Sequence, residues 1–443
     1  MSSARPFVVT NTHFPDASSQ EQADREGLSA LARGLIGSEI LKIAADIRAL
    51  QSAGKTICNL TVGDFSSSEF RIPAHLEQEI VAAFRSGETN YPPSDGILDL
   101  RREVIRFYER ELGLSYPLDS ILIAGGSRPL IYASYKSILD PGEKVLYAVP
   151  SWNNNHYAYL TGARAVELTV GPDTGFLPTA GSIAPHARGV RLLCVNSPLN
   201  PCGTVMTRDQ VRDIGLFLVE ENRRRCATGE RPLFAMWDQV YWMLTFGSLR
   251  HHTPPELVPE AAAWTILVDG VSKAFAATGL RVGWAAAPPH ITARMRDILG
   301  HVGAWAPRPE QAATARFLAD VPAIAAFHET MIRNLRLRLD RLHDGFRSMA
   351  EAGLPVSSFP PQGAIYLSTR FDLIGRRWNG KVLRTNEEIR RLLLEEAGFA
   401  VVPFQAFGLR EETGWMRLSV GAISPADIDA GLARVRSLLA AVR

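Results

Sequence analysis

The chain has 443 residues, 48 of them basic and 46 acidic, for a net charge of +2, and 46% are hydrophobic. That balance excludes wholesale disorder and describes a chain long enough to bury a large core without disulfides or metal staples. So small a surplus of positive charge, with no dense basic block, argues against nucleic acid or an anionic membrane as the main partner.

No apolar run reaches the ~18 residues of a membrane span. The first residues lack the basic start and apolar core of a secretory leader, so a cytoplasmic protein is expected. The cysteines at 58, 194, 202 and 226 form no C-x-x-C pair and read as incidental thiols in a reducing compartment. Lysine is scarce: it stands only at 42, 55, 136, 144, 273 and 381, and the other basic residues are arginine. A lysine kept at a special place is then a candidate for amine chemistry, which a guanidinium does not perform.

In chain order, residues 1–37 read as a loose polar arm. Ser38 is placed to cap a helix carrying Ile40, Leu41, Ile43, Ala44, Ile47 and Leu50 at helical spacing. A short strand is expected at 57–62, and two helices between Pro73 and Leu114 flank the turn Asn90–Gly96. Short aliphatic runs at 121–124, 145–149, 192–195, 233–237, 266–268 and 282–286 then alternate with helical segments. They predict an α/β fold, a large domain over 63–310 with a mostly parallel sheet wrapped by helices. One long amphipathic helix is expected over roughly 310–350, followed by strands at 364–367, 400–402 and 416–420 and a last helix at 425–442. Residues 311–443 therefore read as a smaller α+β domain, to which the helix and strand of 38–62 are assigned.

Ligands of open α/β sheets bind beyond the carboxyl ends of the strands. There the sequence puts Gly125-Gly126-Ser127-Arg128-Pro129, Asn196 to Gly203, Asp238 with Tyr241, and Ser272-Lys273 with Arg281. The glycines with Ser127 as a helix cap suit either a phosphate cradle or a plain tight turn. Asp238 is a helix cap or the partner of a buried cation. Lys273 is a surface lysine or a desolvated amine of lowered pKa. Arg281 suits bidentate phosphate binding, and Arg417 a carboxylate or solvent. Trp152 suits a planar ring or the core. One ligand satisfies all the functional readings together: pyridoxal 5′-phosphate, with its phosphate, flat ring, protonated ring nitrogen and aldehyde.

Ser197-Pro198-Leu199-Asn200-Pro201-Cys202-Gly203 resembles the S-P-x-N-P-T-G signature of class I/II aminotransferases. The stretch Asp269–Trp284 resembles that family's Schiff-base lysine motif, and AGGSRP, DQVY, NYPPSDG and RLSVG fit it in the same order. The resemblance covers roughly 38–440 and implies the pyridoxal phosphate fold type I. It implies an aminotransferase of the aspartate aminotransferase kind, acting by a ping-pong mechanism on an amino acid and a 2-oxo acid. The alternative is another reaction of the same cofactor: lyase, decarboxylase or oxidase.

By the resemblance, Lys273 carries the Schiff base and shuttles the proton. Asp238 holds the ring nitrogen protonated, and Asn200 and Tyr241 donate to the ring's phenolic oxygen. Gly126, Ser127, the backbone of Arg128, Ser272 and Arg281 hold the phosphate, and Trp152 stacks on the ring. Arg417 binds the α-carboxylate with Gly63 nearby. Tyr91 reaches the phosphate of a second subunit, so a homodimer with shared sites is implied. The chain departs from the family at Cys202, where threonine is usual, and at Gly270, where many relatives carry Ser or Thr. By the same resemblance, His301 and Phe107 stand where two branches carry a cation for a side-chain carboxylate.

Overall fold

The computed structural model describes residues 10, 24–25, 27–37 and 39–442, with the backbone alone at 39–41. Two units are distinguished, 1–38 and 39–443. The first holds a five-residue helix, Ala30–Gly34, inside the stretch expected to be loose, with the Ser29 side chain accepting from the Ala32 N–H. Ser38, expected to cap the following helix, lies outside the described residues. That helix runs Glu39–Ser52, and Ile43 and Ile47 are buried.

The second unit is built on seven strands: Ile121–Ala124 (β1), Lys144–Val149 (β2), Arg164–Thr169 (β3), Val190–Asn196 (β4), Phe234–Asp238 (β5), Thr265–Gly270 (β6) and Gly283–Ala286 (β7). Their order is β1-β7-β6-β5-β4-β2-β3. Strand β7 runs antiparallel to both neighbours and the other pairs are parallel. Alternate side chains feed two cores. Leu192 and Cys194 join Leu130, Tyr135 and Met295 on one face, while Leu193 and Val195 join Val104, Val211 and Phe317 on the other. Burial on both faces is why these strands read as unbroken apolar runs. Edge strand β3 has Leu168 as its one buried residue, so it carries no such run and the sequence does not reveal it.

The single helix expected over roughly 310–350 is two, Arg308–Ala319 and Val321–Glu351. Asp320 breaks it: its side chain accepts from the Ala323 N–H, and Pro322 falls in the new first turn, where a missing N–H disrupts nothing. The apolar stripe continues across the break, which hides it from periodicity.

Farther on, Val402–Pro403, Trp415–Ser419, Tyr366–Phe371 and Val356–Ser358 form, in that order, an antiparallel sheet. It packs with the helices Val321–Glu351, Asn386–Ala397 and Pro425–Ala441 around a core containing Leu339, Phe346, Leu393, Phe399 and Leu418. The strand expected at 57–62 shortens to Cys58–Asn59, paired in parallel with Phe399–Ala400. Beyond it Leu60 donates to Ala400 O and accepts from Ser419 N, which brings Thr61 and Gly63 beside the Trp415–Ser419 strand. Among the described residues no helix is long and apolar enough to cross a membrane.

Candidate active site

Strand β1 runs into Gly125 and Gly126, and the helix Ser127–Ile138 starts at once. The capping position is Gly126, at φ +91°, and not Ser127 as expected; no side chain caps this helix, so its first N–H groups are left for another acceptor. Arg281, itself in the left-handed region at φ +55°, donates to Gly125 O at 2.9 Å and Thr278 O at 2.8 Å. A Cβ on Gly126 would overlap its guanidinium. At the start of β7, a Cβ on Gly283 would lie 2.8 Å from Ser127 N. The same crowding closes Gly270, where a Cβ would lie 2.7 Å from Val282 O and 2.8 Å from Gly283 Cα. The side chain that many relatives carry there has no room in this chain.

Strand β6 delivers Ser272 and Lys273 in the four-residue helix Val271–Ala274. Lys273 Nζ donates to Gly63 O at 2.7 Å. Burial brings its pKa down to about 8; nearby Asp64 raises it, while Arg417, Arg128 and Arg281 push it down further. Asp238 ends β5, accepting from Val240 N at 3.3 Å. Burial pushes its carboxyl up to about 6, against the hydrogen bond from Val240 and the charge of Lys273. The scarce lysine and this carboxylate thus lie in one electrostatic neighbourhood. On the other side of Asp238 from the lysine's strand lies the turn after β4, held by Asn196, which donates to Asp238 O at 2.8 Å and accepts from Asn200 N at 2.7 Å.

Arg417, on the Trp415–Ser419 strand, is 1% exposed. It donates to Thr61 O at 2.6 Å and Asn200 Oδ1 at 3.3 Å, and its Nε has no partner. Among the described residues no carboxylate touches it. Its guanidinium carbon lies 4.8 Å from the Tyr366 ring and 4.9 Å from that of Phe407. Tyr366 meets Tyr241, hydroxyl to hydroxyl, at 2.6 Å. Gly63 leaves room for this group, since a Cβ there would lie 3.0 Å from the Tyr366 hydroxyl and 3.5 Å from Arg417 Nη1.

Trp152, which follows β2, has the Arg128 guanidinium 4.4 Å from its ring centroid. Arg128 is exposed, and no acid pairs with it among the described residues. Tyr91 is 83% exposed and touches Trp305 edge-on. Phe107 is buried among Tyr108, Trp242 and Trp284, which makes it core and not a substrate contact. His301 is exposed in the last turn of the helix Pro289–Val302. Sequence reasoning missed Asp64, whose Oδ1 accepts from Thr278 Oγ1 at 2.6 Å, and it missed Tyr366 and Phe407. These three sit in short irregular or apolar stretches whose pattern speaks only of packing. Among the described residues no cluster of His, Cys, Asp or Glu could hold a metal ion.

Over residues 55–435 the chain matches the family described as aminotransferase class I and II. It is 28% identical to an aspartate aminotransferase of Streptomyces avermitilis over 417 residues, covering 93% of this chain and 96% of that one. With an aspartate aminotransferase of Rhizobium meliloti strain 1021 it shares 29% identity over 405 residues, covering 90% and 92%. Among solved structures, the aspartate aminotransferase of Rhizobium meliloti superposes with a TM-score of 0.84 at 27% identity, covering 94% of this chain and 99% of that one. The Thermus thermophilus aspartate aminotransferase with maleate gives 0.82 at 27% identity, covering 93% and 100%.

Proposed function

Because the chain belongs to the class I and II aminotransferases, which use pyridoxal 5′-phosphate to move an amino group from an amino acid to a 2-oxo acid, we propose that the pocket around Lys273 is the active site and that acidic amino acids are its substrates. The observation that carries the reading is that Lys273 and Arg417 converge on Gly63, with Asp238 charge-coupled to the same lysine.

The residues present fit the cofactor. Gly126, Ser127, the backbone of Arg128, Ser272 and Arg281 form a cradle rich in N–H donors and positive charge, with Gly126 closed to any larger side chain; it suits a phosphate. Trp152 and Asp238 suit the ring and its nitrogen, and Asn200 and Tyr241 the phenolic oxygen. When bound, pyridoxal phosphate supplies an aldehyde for amine linkage and an electron-poor ring that takes up charge released at the substrate Cα.

The chain's own groups do the rest. Burial keeps Lys273 near the protonation point, so it offers a free amine for linkage and, once released, a base that moves the proton at Cα. Asp238, desolvated at the strand end, gains a cation when the ring nitrogen is protonated, and so holds that proton in place. Arg417, buried without an acid, takes the α-carboxylate as its counter-ion. Its rings and its bonds to Thr61 and Asn200 fix the plane of the fork before substrate arrives.

Arg128 supports the acidic substrate class. Its unpaired guanidinium is steadied on Trp152 and close enough to Lys273 to lower its pKa, which suits a second carboxylate. The aspartate aminotransferases among its relatives support the same choice. Tyr91, exposed on this protomer, fits a reach into a second one, so the working unit is a homodimer with shared sites, and four cysteines without a disulfide suit the reducing cytoplasm. The test is to give the loaded enzyme one equivalent of aspartate or glutamate and measure 2-oxo acid and the amine form of the cofactor. Stoichiometric appearance of both supports the reading. Release of ammonia or carbon dioxide, or oxygen uptake, with no accumulation of the amine form of the cofactor and no need for a 2-oxo acid acceptor overturns it in favour of a lyase, decarboxylase or oxidase.

A further inference from the structure

Tyr366 is buried, on a strand whose sequence reads as core, yet it touches two groups of the proposed site. The strand register explains the contact with Arg417. Ser368 stands opposite Arg417, so Tyr366, two residues earlier, shares its face and is the diagonal neighbour across the antiparallel pair, within reach of an aromatic ring. Its hydroxyl extends past Arg417 to Tyr241, at the start of the turn after β5.

We infer that Tyr366 is a positioning residue: its hydroxyl orients the Tyr241 hydroxyl toward the cofactor's phenolic oxygen, and its ring holds the Arg417 guanidinium for the substrate carboxylate. The first half follows from proton counting. Burial pushes both phenols up, so both are neutral at working pH. Two neutral hydroxyls carry two protons, and one of them spans the 2.6 Å gap. The other is left for a third acceptor. When a cofactor oxygen takes the Tyr241 proton, Tyr366 becomes the donor to Tyr241, and each bond strengthens the other. The second half follows from the 4.8 Å between ring and guanidinium, in a site where Arg417 has no carboxylate of its own.

The inference rests on the aminotransferase reading, and its test separates the two. The readout is the visible absorbance of the loaded enzyme titrated with pH, which reports protonation of the lysine–cofactor linkage without turnover. Asp64, Arg417, Arg128 and Arg281 face the lysine, and Arg417, Asp64 and Asp238 face the tyrosine pair; none is altered by the variants. Tyr366→Phe keeps the ring and removes the hydroxyl. The midpoint should rise by about 0.3–1 pH unit, because a weakened Tyr241 donor stabilises the phenolic anion less, while KM for the amino acid stays within about twofold. Tyr366→Leu removes the ring as well and should raise that KM about three- to tenfold. A Tyr366→Phe midpoint equal to that of the parent, with the parent itself titrating, overturns this inference alone. A parent whose absorbance does not titrate, or a Lys273→Ala variant that titrates like it, overturns the aminotransferase site and this inference with it.

Discussion

The rim of the seven-stranded sheet and the C-terminal core face the same pocket, yet they are assembled by different physics. The rim is local. Each of its groups follows a strand by a few residues, and glycines let backbones touch so that N–H groups line a cradle. The far side is long-range: Arg417 is held by Thr61 O, Asn200 Oδ1 and two rings drawn from distant parts of the chain. The rim stores a carboxyl and an amine whose charges burial has pulled toward neutrality, and the core stores a full cation with no acid beside it. A group near its titration point exchanges protons readily, whereas a permanent charge only binds.

Substitutions on the two sides should therefore fail in different ways. The largest effect belongs to the rim. Lys273→Ala should lose activity by at least about 10³-fold, since no other amine replaces it; rapid-quench measurement of keto acid would expose the idea as wrong if more than a few per cent remained. Asp238→Asn should retain the cofactor while slowing the half-reaction about 10²- to 10³-fold, as the ring nitrogen loses its counter-charge. An unchanged single-turnover rate would break the comparison. On the core side, Arg417→Lys should raise KM for the amino acid about tenfold or more and spare most of kcat, because a point charge does not replace a fork. A fall confined to kcat would mean that Arg417 acts on chemistry. Arg128→Gln should lower kcat/KM for aspartate about tenfold and leave that for alanine nearly unchanged; equal losses for both would remove its role in substrate choice.

The smallest effect concerns the apo chain. Asp238 titrates near 6 in the fold and at 3.8 when free, so between those values the folded state holds a proton that the unfolded state has lost. Stability then falls as pH rises through that window and stays lower above it, by roughly 1–3 kcal/mol. Asp269, raised to about 7 by burial, and His251, lowered to about 3, titrate over the same range in both proteins, so Asp238→Asn should remove only Asp238's share of the slope and be the more stable apo protein at pH 7, as read from the difference between the two proteins in urea unfolding at pH 4 and pH 7. Parallel curves for the two proteins would contradict the desolvated carboxyl.

The same contrast decides what the sequence could reveal. Strands buried on both faces are readable, and the short motifs just beyond them make Lys273, Asp238 and Asn200 the candidates of the proposed site. Strand β3 is not readable, because Arg164 and Glu167 on its exposed edge break the apolar run. The break at Asp320 was signalled only by Pro322, against a stripe of Ile324, Met331 and Leu335 that runs on. The motif points to Arg417 but not to its setting: Tyr366 reaches it through strand register and Phe407 through the fold of the turn just before its own strand, which no local spacing encodes.

The tight stacking of Gly270 on Gly283, and of Gly283 on the Gly126–Ser127 peptide, limits the paths this lineage can take. Restoring the hydroxyl that many relatives carry at 270 is not a one-step change, because strand β7 would first have to shift away. The crowding at 126, 270 and 283 ties these three positions together, so a change at one calls for a change at the next.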